Sequence, residues 1–355
     1  MDATAWSQSQ LQRVATMYYV QDETMEAIAL RHNVSRSTVS RQLKEARRQG
    51  IVRISVVGQE QTSGLGQRIE EQFGVVAHVV PVRETASESH RLAQVARVAG
   101  SLLSDWMDNG TSLGLAWGIT VSTVVEHLVP KATRGATVVQ LNGAVHVGSD
   151  EVPYVSALLG RACEAFDARP VYFPVPAFFD DPATKAALWR ERSVAHVVDL
   201  QRACDIAVFG VGAWRGGVIS QVYTGGYLRD ADLAATEAAG AVGDVCTMFV
   251  RGDGSYADIP INARSSALDL ADLARIPRRL CVAVGVARVP GVVGALRAGV
   301  VSDLVLDEDA AAAVLDFRPS PRPGQTRPRR GLRRAAPIRR ARASRVDPPA
   351  GRGGA

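Results

Sequence analysis

The stretch 24–48, TMEAIALRHNVSRSTVSRQLKEARR, divides at Asn33-Val34-Ser35 into two short amphipathic segments. Met25, Ile28 and Ala29 recur at i, i+3 and i+4 on the first, and small Ala29 suits a close helix crossing. Asn33 tolerates the positive φ of a tight turn, Val34 can seal that turn against a core, and Ser35 is a natural N-cap. Val39 and Leu43 then point inward, leaving Ser35, Arg36, Ser37, Thr38, Ser40, Arg41 and Lys44 available outside. Hydroxyls near a helix start reach phosphates or base edges, and arginine pairs bidentately with guanine. The spacing therefore predicts a helix-turn-helix whose second helix enters a DNA groove. An ordinary helical hairpin with a solvated face would explain the charges but not the agreement of turn, cap and inward positions.

Upstream, Leu11, Val14, Ala15, Met17 and Tyr18 form a third amphipathic helix that completes a three-helix core. Downstream, Gly50 leads into the apolar run 51–57, the pattern of a short wing. The sequence thus predicts a DNA-binding domain over residues 1–57 and a linker at 58–64, GQEQTSG.

Charge requires dissection before it supports that reading. The 355 residues carry a formal net charge of +5. From Arg318 onward there are twelve arginines, no lysine and one acid, Asp347, a net +11 that leaves residues 1–317 at −6. The DNA-binding expectation therefore rests on local placement in the first fifty residues. A hydrophobic content of 46% supports a substantial core. No leader pattern follows Met1, and Arg288, Pro290 and Arg297 interrupt the most apolar C-terminal stretch, so a cytoplasmic protein without a membrane span is expected. Cys163, Cys204, Cys246 and Cys281 form no CxxC pair, and His32, His78, His90, His127, His146 and His196 are scattered. Reduced core thiols are expected, with neither a metal site nor a cofactor.

From Leu65 the pattern alternates. Helices are predicted near 65–73, 87–107, 120–128, 153–166, 182–192, 230–239 and 289–298. Strands are predicted near 75–82, 112–116, 136–141, 171–173, 205–209, 245–250, 280–286 and 301–306. This alternation implies one large α/β domain, residues 65–317, with a mainly parallel sheet covered on both faces. Residues 318–355, rich in Arg, Pro, Gly and Ala, lack apolar periodicity and are expected to be a disordered tail.

Ser112-Leu113-Gly114-Leu115-Ala116-Trp117-Gly118-Ile119-Thr120-Val121-Ser122 is the most informative segment of this domain. A strand ending at a glycine turn and opening a hydroxyl-bearing helix points backbone N–H groups at an anion. Phosphate fits, but the Gly-Lys-Ser/Thr of a nucleotide-binding loop is missing. Phe209-Gly210-Val211-Gly212-Ala213-Trp214-Arg215-Gly216 offers a second glycine turn at a strand end, although its third glycine comes one residue late for a dinucleotide fingerprint. Asp244, within Gly240-Ala241-Val242-Gly243-Asp244, could accept sugar hydroxyl hydrogens, and Asn142-Gly143 could supply an amide. Each glycine segment is also compatible with a plain connector.

In this order the parts resemble the SorC family of sugar-binding bacterial transcriptional regulators, across residues 10–316. The resemblance is carried by the helix-turn-helix, Gly114-Leu115-Ala116-Trp117-Gly118-Ile119-Thr120, Leu141-Asn142-Gly143 and Phe209-Gly210-Val211-Gly212. Gly243-Asp244-Val245-Cys246 and the closing Leu304-Val305-Leu306-Asp307-Glu308-Asp309-Ala310 complete it. It implies a phosphosugar-isomerase-like α/β effector domain, a phosphorylated sugar as effector, and a homodimer or homotetramer on operator DNA. It also implies that Gly118 and Thr120 hold the phosphate, helped by Ser122, with Gly212 nearby and Asp244 on a sugar hydroxyl.

Where the family often has a lysine shortly before its last strand, this chain has Arg288, followed by Pro290. Arginine can clamp a phosphate bidentately but is a poor amine nucleophile, which argues against a covalent imine there. Family members usually stop near the position of Leu315. The arginine-rich tail is open to two readings, added phosphate attraction at low salt or an unselected extension. The residues read best as a regulator and not an enzyme. The alternative, a sugar-phosphate-processing enzyme with an appended DNA-binding domain, would need a general base such as Asp244.

Overall fold

The computed structural model describes residues 6–52, 60–83, 85–145, 151–213 and 219–319. Three helices, α1 (Gln8–Tyr19), α2 (Met25–His32) and α3 (Arg36–Arg48), enclose a core of their own built on Leu11, Val14, Ile28, Val39, Leu43 and Ala46. Ile51 and Val52 pack against this core after Gly50, whose φ of +72° ends the helical run. The expected wing beyond Val52 lies outside the described residues, as do positions 58 and 59 of the expected linker.

Helix α4 (Glu60–Phe73) corrects the remainder of that linker, because residues 60–64 are helical. Gly64 costs a helix about 1 kcal/mol relative to alanine. Burial of Ile69 and partial burial of Leu65 and Phe73 against the sheet override this cost. The chain continues through β1 (Val76–Val80), α5 (Glu88–Trp106), β2 (Ser112–Leu115), α6 (Ile119–Glu126), β3 (Thr137–Gln140), α7 (Glu151–Phe166) and β4 (Arg169–Val171). Next come α8 (Pro182–Leu188), α9 (Arg192–Arg202), β5 (Ile206–Gly212), α10 (Gln221–Thr224) and α11 (Asp230–Ala238). The hairpin strands β6 (Gly243–Val245) and β7 (Met248–Val250) precede α12 (Leu270–Leu273), β8 (Arg278–Ala283), α13 (Val289–Arg297), β9 (Asp303–Asp307) and α14 (Glu308–Asp316).

Seven strands form a parallel sheet in the order β1-β9-β8-β5-β2-β3-β4. The fold is α/β with a mainly parallel sheet, as the alternation predicts. Strand residues point alternately to two apolar layers: Leu113, Leu115, Val208 and Val282 to one, Phe209, Cys281, Leu304 and Leu306 to the other. The chain runs from β2 outward to β3 and β4, then returns to place β5 on the other side of β2. The β2–β5 junction is therefore a topological switch point, where the loops leaving two neighbouring strands diverge and open a crevice.

One predicted strand, 245–250, is in fact the β6–β7 hairpin, paired antiparallel to the end of β5. Its two-residue turn, Cys246-Thr247, has both φ values positive, +51° and +69°. Turns of that type favour Asn-Gly, so the sequence gives no warning of it. The region 182–202 likewise holds two helices, broken at Trp189–Glu191, where one was expected over 182–192.

Candidate functional site

A cavity opens at the β2–β5 switch point, lined by Trp117, Gly118, Ile119 and Thr120 after β2 and by Gly210, Val211 and Gly212 of β5. Asn142 follows β3 into its wall, Ser220 and Gln221 come from the start of α10, and Asp244, Thr247 and Arg288 close it.

Gly118 makes the first wall possible. Its φ of 138° and ψ of 161° lie in a region that only glycine occupies readily. The conformation turns the chain abruptly from β2 into α6, whose first intrahelical bond runs from Ser122 N–H to Gly118 O at 2.9 Å. The N–H groups of residues 119–121 precede that bond and have no partner within the helix. Trp117 fixes the turn from behind: its indole N–H donates to Gly143 O at 2.8 Å and its ring stacks on Tyr227 at 4.9 Å. Gly210 lets Thr120 lie against β5, since a Cβ there would stand 3.3 Å from the threonine Cβ.

The same cavity also carries acceptors. Asp244 is buried; Oδ1 accepts from the Tyr223 hydroxyl at 2.9 Å and Oδ2 from Thr247 N–H at 3.1 Å. Burial pushes its carboxyl up to about 6, against the two hydrogen bonds, which favour the charged form. Burial, then the neighbouring carboxylate, raises the Tyr223 hydroxyl well above its ordinary range. Gly212 is the residue paired with Asp244 across β5 and β6, and a Cβ on it would come within 1.9 Å of Asp244 Oδ1. Asn142 is 1% exposed, and its Oδ1, like Oε1 of Gln221, has no hydrogen-bond partner among the described residues. A buried amide oxygen left so costs about 1–3 kcal/mol, a cost that a donor entering the cavity would remove.

Of the expected effector residues, the cavity brings together Gly118, Thr120, Asn142, Gly212, Asp244 and Arg288. Ser122 and Gly143 do not line it. Ser122 sits one turn down α6 with its N–H bonded to Gly118. Gly143 spends its N–H on Ser266 Oγ at 3.0 Å, and its missing Cβ leaves room for the Val175 and Pro176 carbonyls. Trp214, Arg215 and Gly216 of the second glycine turn lie outside the described residues, as does His146. Gln221, Tyr223 and Thr247 were not anticipated. The only signal for the first two is the Ser220 cap, whose Oγ accepts from Val222 N–H at 3.4 Å.

None of the four cysteines is poised for chemistry. All are buried, and loss of water raises each thiol, Cys163 to about 11 and Cys204 and Cys281 to about 12. Among the described residues no cluster of His, Cys, Asp or Glu could hold a metal ion. Nor is any described helix long and apolar enough to cross a membrane.

The helix-turn-helix geometry follows its sequence closely. Asn33 ends α2 with φ 50° and ψ 46°, and Ser35 Oγ caps α3 by accepting Thr38 N–H at 3.1 Å. Ser35, Arg36, Ser37, Ser40, Arg41 and Lys44 are exposed and Thr38 is half-buried, whereas Val39 and Leu43 are buried. Arg41 donates to Thr38 Oγ1 at 3.3 Å and lies over the Trp6 ring, while Arg36 pairs with Glu26 at 2.8 Å. Gln42, buried on the inner face, was not anticipated.

Comparison with known proteins agrees with this architecture. The family model described as "Putative sugar-binding domain" matches residues 57–316. The chain is 31% identical over 306 residues to the deoxyribonucleoside regulator of Bacillus subtilis, covering 85% of this chain and 96% of that one. It is 26% identical to the sorbitol operon regulator of Klebsiella pneumoniae, covering 85% and 96%. A crystallised domain of a possible sugar-binding transcriptional regulator from Arthrobacter aurescens is 41% identical, with a TM-score of 0.68, covering 74% of this chain and all of that domain. The full-length sorbitol operon regulator structure shares the fold at a TM-score of 0.67 over 88% of this chain. A helix-turn-helix followed by a sugar-binding α/β domain, matched over most of its length to transcriptional regulators, makes this chain a sugar-responsive member of the SorC family of transcriptional regulators.

Proposed function

We propose that a phosphorylated sugar, or a closely related metabolite, binds in the β2–β5 cavity and controls the affinity of α3 for operator DNA. The observation that carries this reading is the mixed lining of the cavity. The first turn of α6, Thr120 and the Arg288 guanidinium offer donors and positive charge, which suit a phosphate. In the same lining Asp244 and the unpartnered oxygens of Asn142 and Gln221 offer acceptors, which suit hydroxyl groups. A molecule with a phosphate at one end and hydroxyls at the other satisfies both.

Control then follows from linkage. An effector that binds one arrangement of a homodimer or homotetramer more tightly shifts the population of that arrangement. Paired recognition helices must meet half-sites about one helical turn apart or a multiple of it, so such a shift changes operator affinity. In this reading Ser35, Ser37, Thr38 and Ser40 contact phosphates, and Arg36, Arg41 and Lys44 contact base edges or phosphates; their exposure on or beside α3, partial for Thr38, supports it.

The site holds its ligand and does not turn it over. Both oxygens of Asp244 are already hydrogen-bonded, which supports a fixed acceptor over a mobile general base. Thermal denaturation over a panel of sugar phosphates and the corresponding free sugars tests the reading, since a ligand selective for the native state raises apparent stability. A phosphorylated sugar should raise the melting temperature where its free counterpart does not, without product formation on prolonged incubation. A flat response across the panel, or conversion to product, would overturn it.

A further inference from the structure

Arg288 both lines the cavity and takes part in an ion pair. It is 8% exposed and lines the cavity, yet its Nη1 donates outward, to Val284 O at 2.9 Å and to Glu88 Oε1 at 3.2 Å. Glu88 is the first residue of α5, immediately after the Ser87 cap, and its side chain is 31% exposed. One turn along, the Arg91 guanidinium, 13% exposed, pairs with Asp309 and stands 3.7 Å from Asp307. Asp307 is fully buried and accepts from Gly285 N–H at 2.6 Å and from Ala310 N–H at 3.1 Å. The start of α5 and the carboxyl ends of β8 and β9 are thus tied by one cluster of charges. Among its members, Arg288 is the one that lines the cavity.

A buried guanidinium requires a compensating anion. A phosphate entering the cavity must then contend with an anion already seated on the same cation. We propose that Glu88 is the built-in counter-ion of the effector site: it neutralises Arg288 before the effector arrives, and the effector's anionic group displaces it. Glu88 thereby sets how much negative charge an effector must carry. The proposal rests on the reading that the cavity takes a phosphorylated ligand. Coulomb attraction scales with the charge product, so a dianion displaces a carboxylate that a monoanion leaves in place.

Displacement would also release the first turn of α5 from the cavity wall. The same helix crosses α6 closely at Gly100, where a Cβ would come within 2.6 Å of His127 O. A single helix therefore meets the C-terminal end of α6 at its body and the counter-ion at its tip.

Titration calorimetry of the full chain at pH 8 with methyl phosphate, a dianion there, and methyl sulfate, a monoanion, tests this directly. Wild type should prefer methyl phosphate. Glu88→Gln keeps the side-chain shape without its charge; it should bind methyl phosphate about tenfold tighter and show a smaller preference over methyl sulfate, while melting lower without ligand. Glu88→Asp, which keeps the charge, should retain the wild-type preference. A merely structural Glu88 would lower the melting temperature and leave both affinities where they were. Unchanged or weaker methyl phosphate binding by Glu88→Gln, with wild type stabilised by a sugar phosphate, overturns this proposal alone. A wild type that responds to no sugar phosphate and no methyl phosphate overturns it together with the reading beneath it.

Discussion

Tyr223 donates its hydroxyl hydrogen to Asp244 Oδ1 at 2.9 Å, and both groups are buried beside the cavity. Both are largely withdrawn from water, and Thr247 N–H holds the other carboxylate oxygen at 3.1 Å. The pair fixes the direction of the carboxylate and leaves its charge to be set by burial.

Burial places the Asp244 carboxyl at about 6, above its ordinary 3.8. The folded protein therefore binds a proton more readily than the unfolded chain. The associated stability is fully present below pH 4 and is lost as pH rises through about 6, a loss of about 3 kcal/mol by neutral pH. Thermal melts of wild type and Asp244→Asn between pH ~3.5 and ~7, chosen to span that window, should diverge as pH climbs through it, with the variant gaining relative stability. Parallel curves would remove the assigned shift.

Effector affinity should run in the opposite sense. A ligand hydroxyl donating to Asp244 favours the ionised carboxylate, so binding should strengthen as pH rises through about 6. A phosphate monoester also ionises near pH ~6, and Asp244→Asn isolates that contribution. The difference between the two pH profiles is the quantity to measure, and a difference of zero would take Asp244 out of the effector contacts.

Gly212→Ala should abolish the effector response through a clash, because the new Cβ would lie 1.9 Å from Asp244 Oδ1. Gly118→Ala meets no neighbouring atom within 4 Å but inherits a φ of 138°. It should cost about 1–3 kcal/mol of stability and reorient the first turn of α6. Chemical denaturation and calorimetry distinguish these outcomes: the first variant loses binding by displacing an acceptor, the second by moving donors.

For DNA binding, Arg41→Ala should weaken operator affinity and leave effector affinity unchanged. If Arg41 reads a base, the loss is roughly 1–3 kcal/mol and specificity relaxes at that position; if it contacts phosphate, the salt slope falls by about 1. Equal operator affinity in wild type and variant would refute either role.

The sequence shows its helix-turn-helix plainly because every signal there is local. Asn33 and Ser35 act on their own backbone, and Val39 and Leu43 report one face of one helix. The parallel sheet is visible for the same reason, as apolar runs separated by helical spacing. The features with no local signal depend on partners distant in sequence. The Cys246-Thr247 turn looks like strand interior until β6 pairs with β5, and Gln221 and Tyr223 become site residues only when α10 is brought to the β2–β5 crevice. Ser122 and Gly143 show the converse. Both stand beside true cavity residues in sequence, but one lies a helical turn too far and the other is held by Ser266 and Trp117. The family resemblance points to Arg288; its ion-pair partner Glu88 lies 200 residues earlier in the chain, where no local signal marks it.

The most direct test is operator affinity, measured by fluorescence anisotropy on DNA selected by the protein itself, across matched phosphorylated and free sugars for wild type and Thr120→Ala. At least one phosphorylated sugar should change the affinity of wild type, its free counterpart should not, and Thr120→Ala should bind DNA normally without responding. Operator affinity that stays constant across the panel, or that responds equally to free and phosphorylated sugars, would contradict a phosphate-dependent effector site.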